Sequence, residues 1–189
     1  VLYLRTFLEE LRLVAKTTNE LDTMKDSYLT AVNPQAMFEK VIVRMRRDFD
    51  SNSGLAKDLV RRTLCLLWAA RSGLSENELS DLLGTGVNPL PAAILSPFFI
   101  SIKCYLLNRQ GYFVFFHGAF RRAVEVLFLS SPEDKKATHR QISDYVRTHA
   151  PLVRKVSELP AHLTVLCAWD ELYDLLSDPV FLAAAWKTN

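Results

Sequence analysis

The sequence is poor in the residues and segments that several functional classes require. It has only six glycines, three cysteines and four histidines among 189 residues. No Gly-rich loop followed by Lys and Ser or Thr occurs, so this chain alone cannot cradle a nucleoside triphosphate in the usual way. The serines lack a nucleophile elbow, and no pair of carboxylates sits at the end of a predicted strand. We therefore expect no catalytic residue and no enzyme activity in this chain.

Cysteines and histidines are too scattered to indicate a metal site or a disulfide framework. Cys65, Cys104 and Cys167 lie far apart in apolar runs, and the histidines show none of the short spacings typical of zinc ligands. Buried thiols in a reducing compartment are the simplest interpretation, which predicts a cytoplasmic protein without a bound metal.

Charge and hydropathy exclude other partners. A formal net charge of +2 is too small to indicate nucleic acid or an anionic membrane as a partner. No apolar run approaches the roughly 18 residues that a membrane-spanning helix needs, and no signal-peptide pattern is present. Because Val1 already stands in a helical pattern, we interpret the chain as a segment of a larger protein, with part of the function outside it.

Most of the chain has apolar residues at helical spacing. We expect a helix over 2–14, a weaker one over about 20–31, and a strong one that begins at Asn33-Pro34 and ends at the loop 50–54. Residues 55–84 indicate helix, turn and helix, with Ser75 and Glu78 as a capping box. Further helices are predicted over 118–129, 133–148, 158–168 and 169–177.

The period changes after a short third helix that we expect to end near Pro97. Residues 98–107 and 112–116 favour two strands joined by a turn at 108–111. Three helices and a hairpin in this order are typical of a winged helix. The predicted fold class is mainly α: a helical bundle plus a winged helix, followed by an α-helical repeat-like segment. By spacing, the aromatic core residues are Trp68, Phe98, Phe99, Phe113, Phe115, Phe120 and Trp169.

A winged helix raises the question of DNA binding, since the second helix of a helix-turn-helix commonly enters the major groove. Here that helix carries Glu76, Glu78 and Asp81 and neither lysine nor arginine. Such a helix would repel phosphates, so we expect no nucleic-acid partner.

Four segments together resemble a known family. They are "LYLRTFLEELRL" (2–13), "LVRRTLCLLWAARSGLSENELSDLLG" (59–84), "FVFFHGAFRRAVE" (113–125) and "ELPAHLTVLCAWDELYDLL" (158–176). In that order they resemble the region after the nucleotide-binding core of NACHT-type STAND NTPases, in the branch with C-terminal repeats, as in telomerase-associated and nephrocystin-like proteins.

The resemblance implies a domain plan and a regulatory role. The plan is the last helix of an upstream NTPase lid (1–16), a helical linker domain (17–54), a winged helix (55–131) and the start of a helical repeat or scaffold region (132–189). The implied partners are the upstream NTPase core and the downstream repeats, and the intact protein would oligomerise on activation. ADP or ATP would be bound mainly by residues outside this chain, and none by this chain alone.

His117 and Gly118 are the candidate site residues. In the related NB-ARC proteins a histidine of a Met-His-Asp motif contacts the β-phosphate of ADP, and Phe116-His117-Gly118 stands at the matching place with only the histidine retained. The resemblance thus implies His117, with Gly118, as a phosphate sensor. A ring N–H and free N–H groups of Gly118 and Ala119 could face an anion at a helix N-terminus. Alternatively, His117 only hydrogen-bonds a neighbouring backbone carbonyl and caps local structure.

Two functions remain open from the sequence. The first is a regulatory module that couples the nucleotide state of an upstream domain to downstream domains through the winged helix. The alternative is a nucleotide-independent interaction scaffold with a structural winged helix. Arg121 and Arg122 would pair with an upstream acidic surface in the first case, or simply face water.

Overall fold

The computed structural model describes residues 8, 28, 30–51, 54–85 and 88–188, so the helices predicted over 2–14 and 20–31 lie almost wholly outside the described residues. Its described helices are α1 (Pro34–Phe49), α2 (Leu59–Ala69), α3 (Glu76–Leu83), α4 (Ala92–Ile102), α5 (Gly118–Phe128), α6 (Pro132–His149), α7 (Leu152–Leu166), α8 (Trp169–Ser177) and α9 (Pro179–Thr188). The strands are β1 (Leu106–Arg109) and β2 (Tyr112–Phe115). The mainly α fold class is confirmed.

Helix α1 begins and ends where its local signals predict. The Asn33 side chain accepts a hydrogen bond from the Ala36 N–H at 2.8 Å, and Pro34 occupies the first turn. Its buried stripe packs against α5 and α2. Asp50, just beyond α1, accepts a hydrogen bond from the Val60 N–H at 2.8 Å and so ties the end of α1 to the start of α2.

Helix α2 is the centre of the molecule, because nearly all of its side chains are buried. It contacts α1, α3, β2, α5 and α6. The following turn brings Leu74 against Phe113 of β2, with reciprocal backbone hydrogen bonds of 3.2 and 2.9 Å. This pairing adds a one-residue third strand to the β1–β2 hairpin. Together α2, α3, α4 and the hairpin form the predicted winged helix.

The hairpin turn is set by backbone conformation. β1 and β2 pair antiparallel from Leu106 opposite Phe115 to Arg109 opposite Tyr112. The two residues between them, Gln110 and Gly111, both have positive φ, at 55° and 92°. Two positive φ values are the signature of a type I′ turn, whose twist suits a two-residue hairpin.

The predicted end of the third helix at Pro97 is wrong. Helix α4 continues through Pro97 to Ile102, and a 3₁₀ turn follows at Lys103–Tyr105, so β1 starts eight residues later than the predicted strand at 98. A proline inside a helix loses one backbone hydrogen bond and crowds the preceding turn. Here Phe98, Phe99 and Ile102 lie on one helical face and are buried, and this burial outweighs the local penalty.

The C-terminal helices pack on one another in sequence order. α6 lies on α7, and α8 and α9 both contact α7. Helix α7 begins at Leu152, one and a half turns before the predicted start at 158, and it contains Pro160. An ion pair from Arg154 to Glu158 and a hydrogen bond from His162 to Glu158, each between residues four apart, join these added turns to the rest of the helix.

The core is one continuous apolar cluster from Tyr28 to Leu163. The predicted core aromatics are buried or partly buried, except Trp169, which is exposed on α8 and was predicted wrongly. Cys65 is buried as expected, whereas Cys104 and Cys167 are exposed, so the expectation of buried thiols fails for those two. Cys104 lies in the 3₁₀ turn after α4, and Cys167 is the residue that follows the last residue of α7.

Two findings limit the chemistry of the described residues. Over these ranges, no helix has the length and apolarity that crossing a bilayer demands. In the same part of the chain, no three side chains among His, Cys, Asp and Glu are grouped so as to hold a metal ion. The predicted domain boundaries stay predictions.

Candidate functional site

His117 lies between β2 and α5, and its side chain caps the helix. The imidazole Nδ1 accepts a hydrogen bond from the Ala119 N–H at 3.0 Å, while its backbone is extended. The backbone C=O of His117 accepts the Phe120 N–H at 3.0 Å. Because Nδ1 is the acceptor, the proton of the neutral ring is on Nε2. His117 is exposed, with its ring 6.5 Å from that of Phe38.

This geometry corrects two expectations. The Ala119 N–H is not free to donate to an anion, because it already donates to Nδ1 of His117. The cap is also made to a backbone N–H rather than to a carbonyl. Gly118 is exposed, and a Cβ added there would meet nothing within 4 Å, so this glycine serves no close approach within the described residues. Phosphate binding by His117 and Gly118 stays a prediction.

Arg121 has a role inside the chain. Its Nε and Nη2 donate to the Trp68 C=O at 3.3 and 3.0 Å, and its guanidinium lies 4.8 Å from the centre of the Trp68 ring. It thus satisfies one of the last carbonyls of α2, which have no helical partner. Arg122 is exposed.

A second group of polar residues is buried where the winged helix meets the C-terminal helices. We call it the ionic cluster, and it consists of Glu78 on α3, Arg154, Glu158 and His162 on α7, and His139 on α6. Arg154, Glu158 and His162 are each at most 4% exposed. Charges as buried as these are costly unless they are paired and hydrogen-bonded.

Arg154 is the link to the winged helix. Its Nε and Nη2 donate to the two carboxylate oxygens of Glu78 at 2.8 and 3.1 Å, and Nη2 also donates to the Gly73 C=O. The guanidinium stacks 4.4 Å from the centre of the Tyr112 ring. Glu78 meanwhile accepts the Ser75 N–H at 2.9 Å, so the capping residue of α3 is also the partner of Arg154.

Glu158 is the link to the end of α2. Its carboxylate accepts the N–H groups of Arg71 at 3.0 Å and Ser72 at 2.6 Å, and Arg154 Nη1 at 2.9 Å. Its Oε2 lies 3.0 Å from His162 Nε2. The carboxylate is therefore saturated by donors from two different parts of the chain.

The two histidines extend the cluster to α6. Nδ1 of His162 lies 2.8 Å from Nδ1 of His139, whose ring meets Trp68 edge to face at 5.8 Å. With both rings neutral, His162 donates from Nε2 to Glu158 and accepts at Nδ1 from His139. One chain of polar contacts thus joins α3, α7 and α6.

The surroundings shift the pKa values of three of these groups. Burial favours neutral Glu158, but the hydrogen bond from His162, the charge of Arg154 and the N–H groups of Arg71 and Ser72 outweigh it and lower its pKa. Burial likewise opposes the charge of Arg154, yet its carboxylate partners hold its pKa above the ordinary value. Burial first, then the nearby charges of His162 and Arg121, lower the pKa of His139 to about 4. The cluster is arranged to keep Glu158 and Arg154 charged and His139 neutral.

Helix α3 is further covered by α6. Gln141 Nε2 donates to the Leu82 C=O at 2.9 Å, and the Tyr145 hydroxyl donates to Asp81 at 2.8 Å. Burial and this bond to Asp81 raise the pKa of Tyr145. The acidic residues Glu78 and Asp81 therefore contact the C-terminal helices, and the helix that a DNA-binding winged helix would present is engaged within the chain.

Sequence reasoning found Ser75 and Glu78 but missed the ionic cluster. In the sequence, the capping box alone accounts for Glu78, and Arg154 precedes the helix predicted over 158–168. The available signal was the spacing of Arg154, Glu158 and His162, which places two charges and a histidine on one face of a helix. No local signal connects that face to Glu78, which is 76 residues from Arg154.

Comparison with known proteins gives one distant relative. The chain is similar to a TPR repeat-containing protein of Dictyostelium discoideum, with 25% identity over 178 residues, which is 93% of this chain and 10% of that protein. The chain therefore spans about a tenth of the length of this relative. No protein-family model and no solved structure gives a significant match. The similarity points to a protein with helical repeats, and it provides no support for the NTPase resemblance.

Proposed function

We propose that this chain is a protein-interaction scaffold in which the winged helix is a structural unit, fixed to a helical array. As such a scaffold, the chain keeps its protein-binding surfaces in a constant position relative to one another. On this proposal it has no catalytic residue and binds no nucleotide by itself. Its partners are proteins, which include the other parts of the longer protein.

The ionic cluster is the observation that carries the proposal. Arg154 and Glu158 connect α7 to Glu78, Gly73, Arg71 and Ser72 of the winged helix by five hydrogen bonds. Separating the two parts would break these hydrogen bonds, in each of which at least one partner is charged. Hydrogen bonds to charged groups typically contribute about 1.5–3 kcal/mol each, so a winged helix that undocks from these helices is disfavoured.

The similarity to a TPR repeat-containing protein supports the same proposal. Repeats of helix pairs stack on their neighbours and build extended binding surfaces. Helices α6 to α9 pack successively in this manner, and α6 and α7 cover α3 of the winged helix. A DNA-reading role receives no support, because α4, the third helix of the winged helix, carries no charged residue at all.

A second candidate is the regulatory module implied by the resemblance to STAND NTPases. The observation in its favour is that His117 is exposed at the N-terminus of α5, directly after β2, at the place of the phosphate-sensing histidine. In that proposal ADP or ATP is bound mainly by an upstream NTPase core, and exchange drives oligomerisation. The cap that His117 makes to Ala119 would have to coexist with phosphate binding or be replaced by it.

The mass of the full-length protein in solution separates the two candidates. We would compare its mass distribution without nucleotide, with ADP and with ATP, for the natural sequence and for His117→Asp. The aspartate keeps a capping carboxylate but repels phosphate. The scaffold proposal expects one distribution in all conditions. Growth to a larger species with ATP, altered by His117→Asp, would replace it with the regulatory proposal.

A further inference from the structure

Only part of the apolar face of helix α8 packs against the rest of the described chain. Leu172 and Leu175 pack against the core. Trp169, Tyr173 and Leu176, which follow one another at helical spacing beside them, are 58%, 72% and 44% exposed. These three residues span two turns, or about 10 Å along the helix. We call them the α8 stripe.

The stripe has an acidic border. On a helix, Asp170 and Asp174 lie next to each other on the side of the stripe away from the partly buried Leu172 and Leu175. Among the described residues neither forms an ion pair, whereas Glu171, on the next edge, pairs with Arg140 and Arg147 of α6. Helix α8 itself contains no basic residue. The exposed stripe therefore lies beside uncompensated negative charge.

We propose that the α8 stripe is a docking site for an amphipathic helix of a partner protein, whose apolar face is bordered by lysine or arginine. This proposal rests on the proposed scaffold function and names the kind of partner. The charge of the border decides the chemistry of the occupant: it repels an acidic helix and an anionic membrane, and it attracts a basic helix. A helix in a groove or along an apolar stripe is read through residues at spacings of three and four, which the α8 stripe provides.

A pair of designed peptides provides the test. Both are amphipathic 18-residue helices with the same leucine stripe, and the border of that stripe is lysine in one and glutamate in the other. Fluorescence anisotropy of the labelled peptides measures their affinity for the purified chain. We expect the lysine peptide to bind at least about fivefold more tightly, and this preference to vanish at high salt.

Variants locate the contact. Tyr173→Ala should weaken the lysine peptide by about tenfold, as removal of an aromatic anchor commonly does. Asp170→Asn combined with Asp174→Asn should leave the glutamate peptide unchanged or stronger and weaken the lysine peptide by about fivefold. Val153→Ala and Asp144→Asn, exposed apolar and acidic positions on α7 and α6, are the matched controls and should change nothing. Circular dichroism checks that each variant is folded.

Four results would overturn the proposal. They are equal affinity for the two peptides, an unchanged affinity in Tyr173→Ala, binding to phosphatidylserine vesicles that needs Tyr173, and self-association that Tyr173→Ala abolishes. The last two would assign the stripe to a membrane or to a second copy of this chain. None of them affects the nucleotide dependence of the mass distribution, so the docking site and the scaffold function can fail separately.

Discussion

The single guanidinium of Arg154 holds two carboxylates in the interior. In Arg154→Met the aliphatic stem is kept, but Glu78 and Glu158 lose a shared positive partner. We expect the free energy of unfolding to fall by about 3–5 kcal/mol, measured by urea denaturation.

Arg147→Met is the matched control on α6. Arg147 pairs with Glu171 at an exposed position, where the side chains are 44% and 39% exposed. Exposed pairs contribute about 0–1 kcal/mol, so this variant should be nearly as stable as the natural chain. Equal losses in the two variants would mean that the ionic cluster does not hold the parts together.

His117 permits a second test at the residue scale. Its Nδ1 caps α5 from the N-cap position, where it accepts the Ala119 N–H. His117→Ala should lower the free energy of unfolding by about 1 kcal/mol, and His117→Asn should restore most of it. If alanine and asparagine variants are equally stable in urea titrations, the cap contributes nothing and the exposed ring has another role.

His139 predicts a pH dependence. Its pKa is about 4 in the folded chain and near 6.5 when unfolded, so the unfolded state binds more protons between these values. The contribution of His139 to the free energy of unfolding is therefore complete above pH 6.5. It falls as the pH drops through this window, by up to about 3 kcal/mol.

His139→Gln should abolish the loss of stability that His139 causes in this pH window. Carboxylates such as Glu158 should still cause a loss of stability at lower pH. His149→Gln, at an exposed position in the same helix, is the control and should leave the pH profile as it is. Thermal unfolding at a series of pH values measures both. A profile unchanged by His139→Gln would show that His139 binds a second proton as readily in the folded chain as in the unfolded one.

At the scale of elements, the turn after α2 is fixed by Gly73. Its φ is +88°, and an added Cβ would lie 2.5 Å from the Phe113 C=O and 2.8 Å from a Val114 methyl group. Gly54 also has positive φ, at +77°, but has nothing within 4 Å. Gly54→Ala should cost about 1 kcal/mol from backbone strain alone.

Gly73→Ala adds a steric clash to that strain, so we expect it to cost several times more and to separate Leu74 from Phe113. Urea denaturation measures the two costs, and hydrogen exchange at the Leu74 and Phe113 amides reports the strand pairing. Similar costs in the two variants would mean that the turn can move away from β2 freely.

Elements with complete local signals were predictable from the sequence. The Asn33-Pro34 start of α1, the Ser75 and Glu78 box of α3 and the start of α5 depend on neighbouring residues only. Pro97 and the length of α7 were not, because burial of distant side chains decides whether an interior proline ends a helix. The ionic cluster could not be predicted from local signals either, because its hydrogen-bond partners are up to 87 residues apart.

In the whole molecule, the winged helix and the C-terminal helices share one buried core. Ile142 and Val146 of α6 and Leu159 and Leu163 of α7 belong to the same buried apolar cluster as the core residues of α2 and α3. Hydrogen bonds to charged groups and the loss of buried partners both oppose partial opening. Cooperative unfolding in a single transition follows from this arrangement.

Hydrogen exchange of the full-length protein, with and without ADP or ATP, measures whether the winged helix stays docked on α7. The amides of Arg71 and Ser72, which donate to Glu158, report the docking of α7 on the winged helix. We predict that they exchange with the same high protection as the core of α2, and that nucleotide does not change it. Rapid exchange at these amides while α2 stays protected, or faster exchange on addition of ATP, would show that α7 separates from the winged helix. Either result would contradict the scaffold proposal.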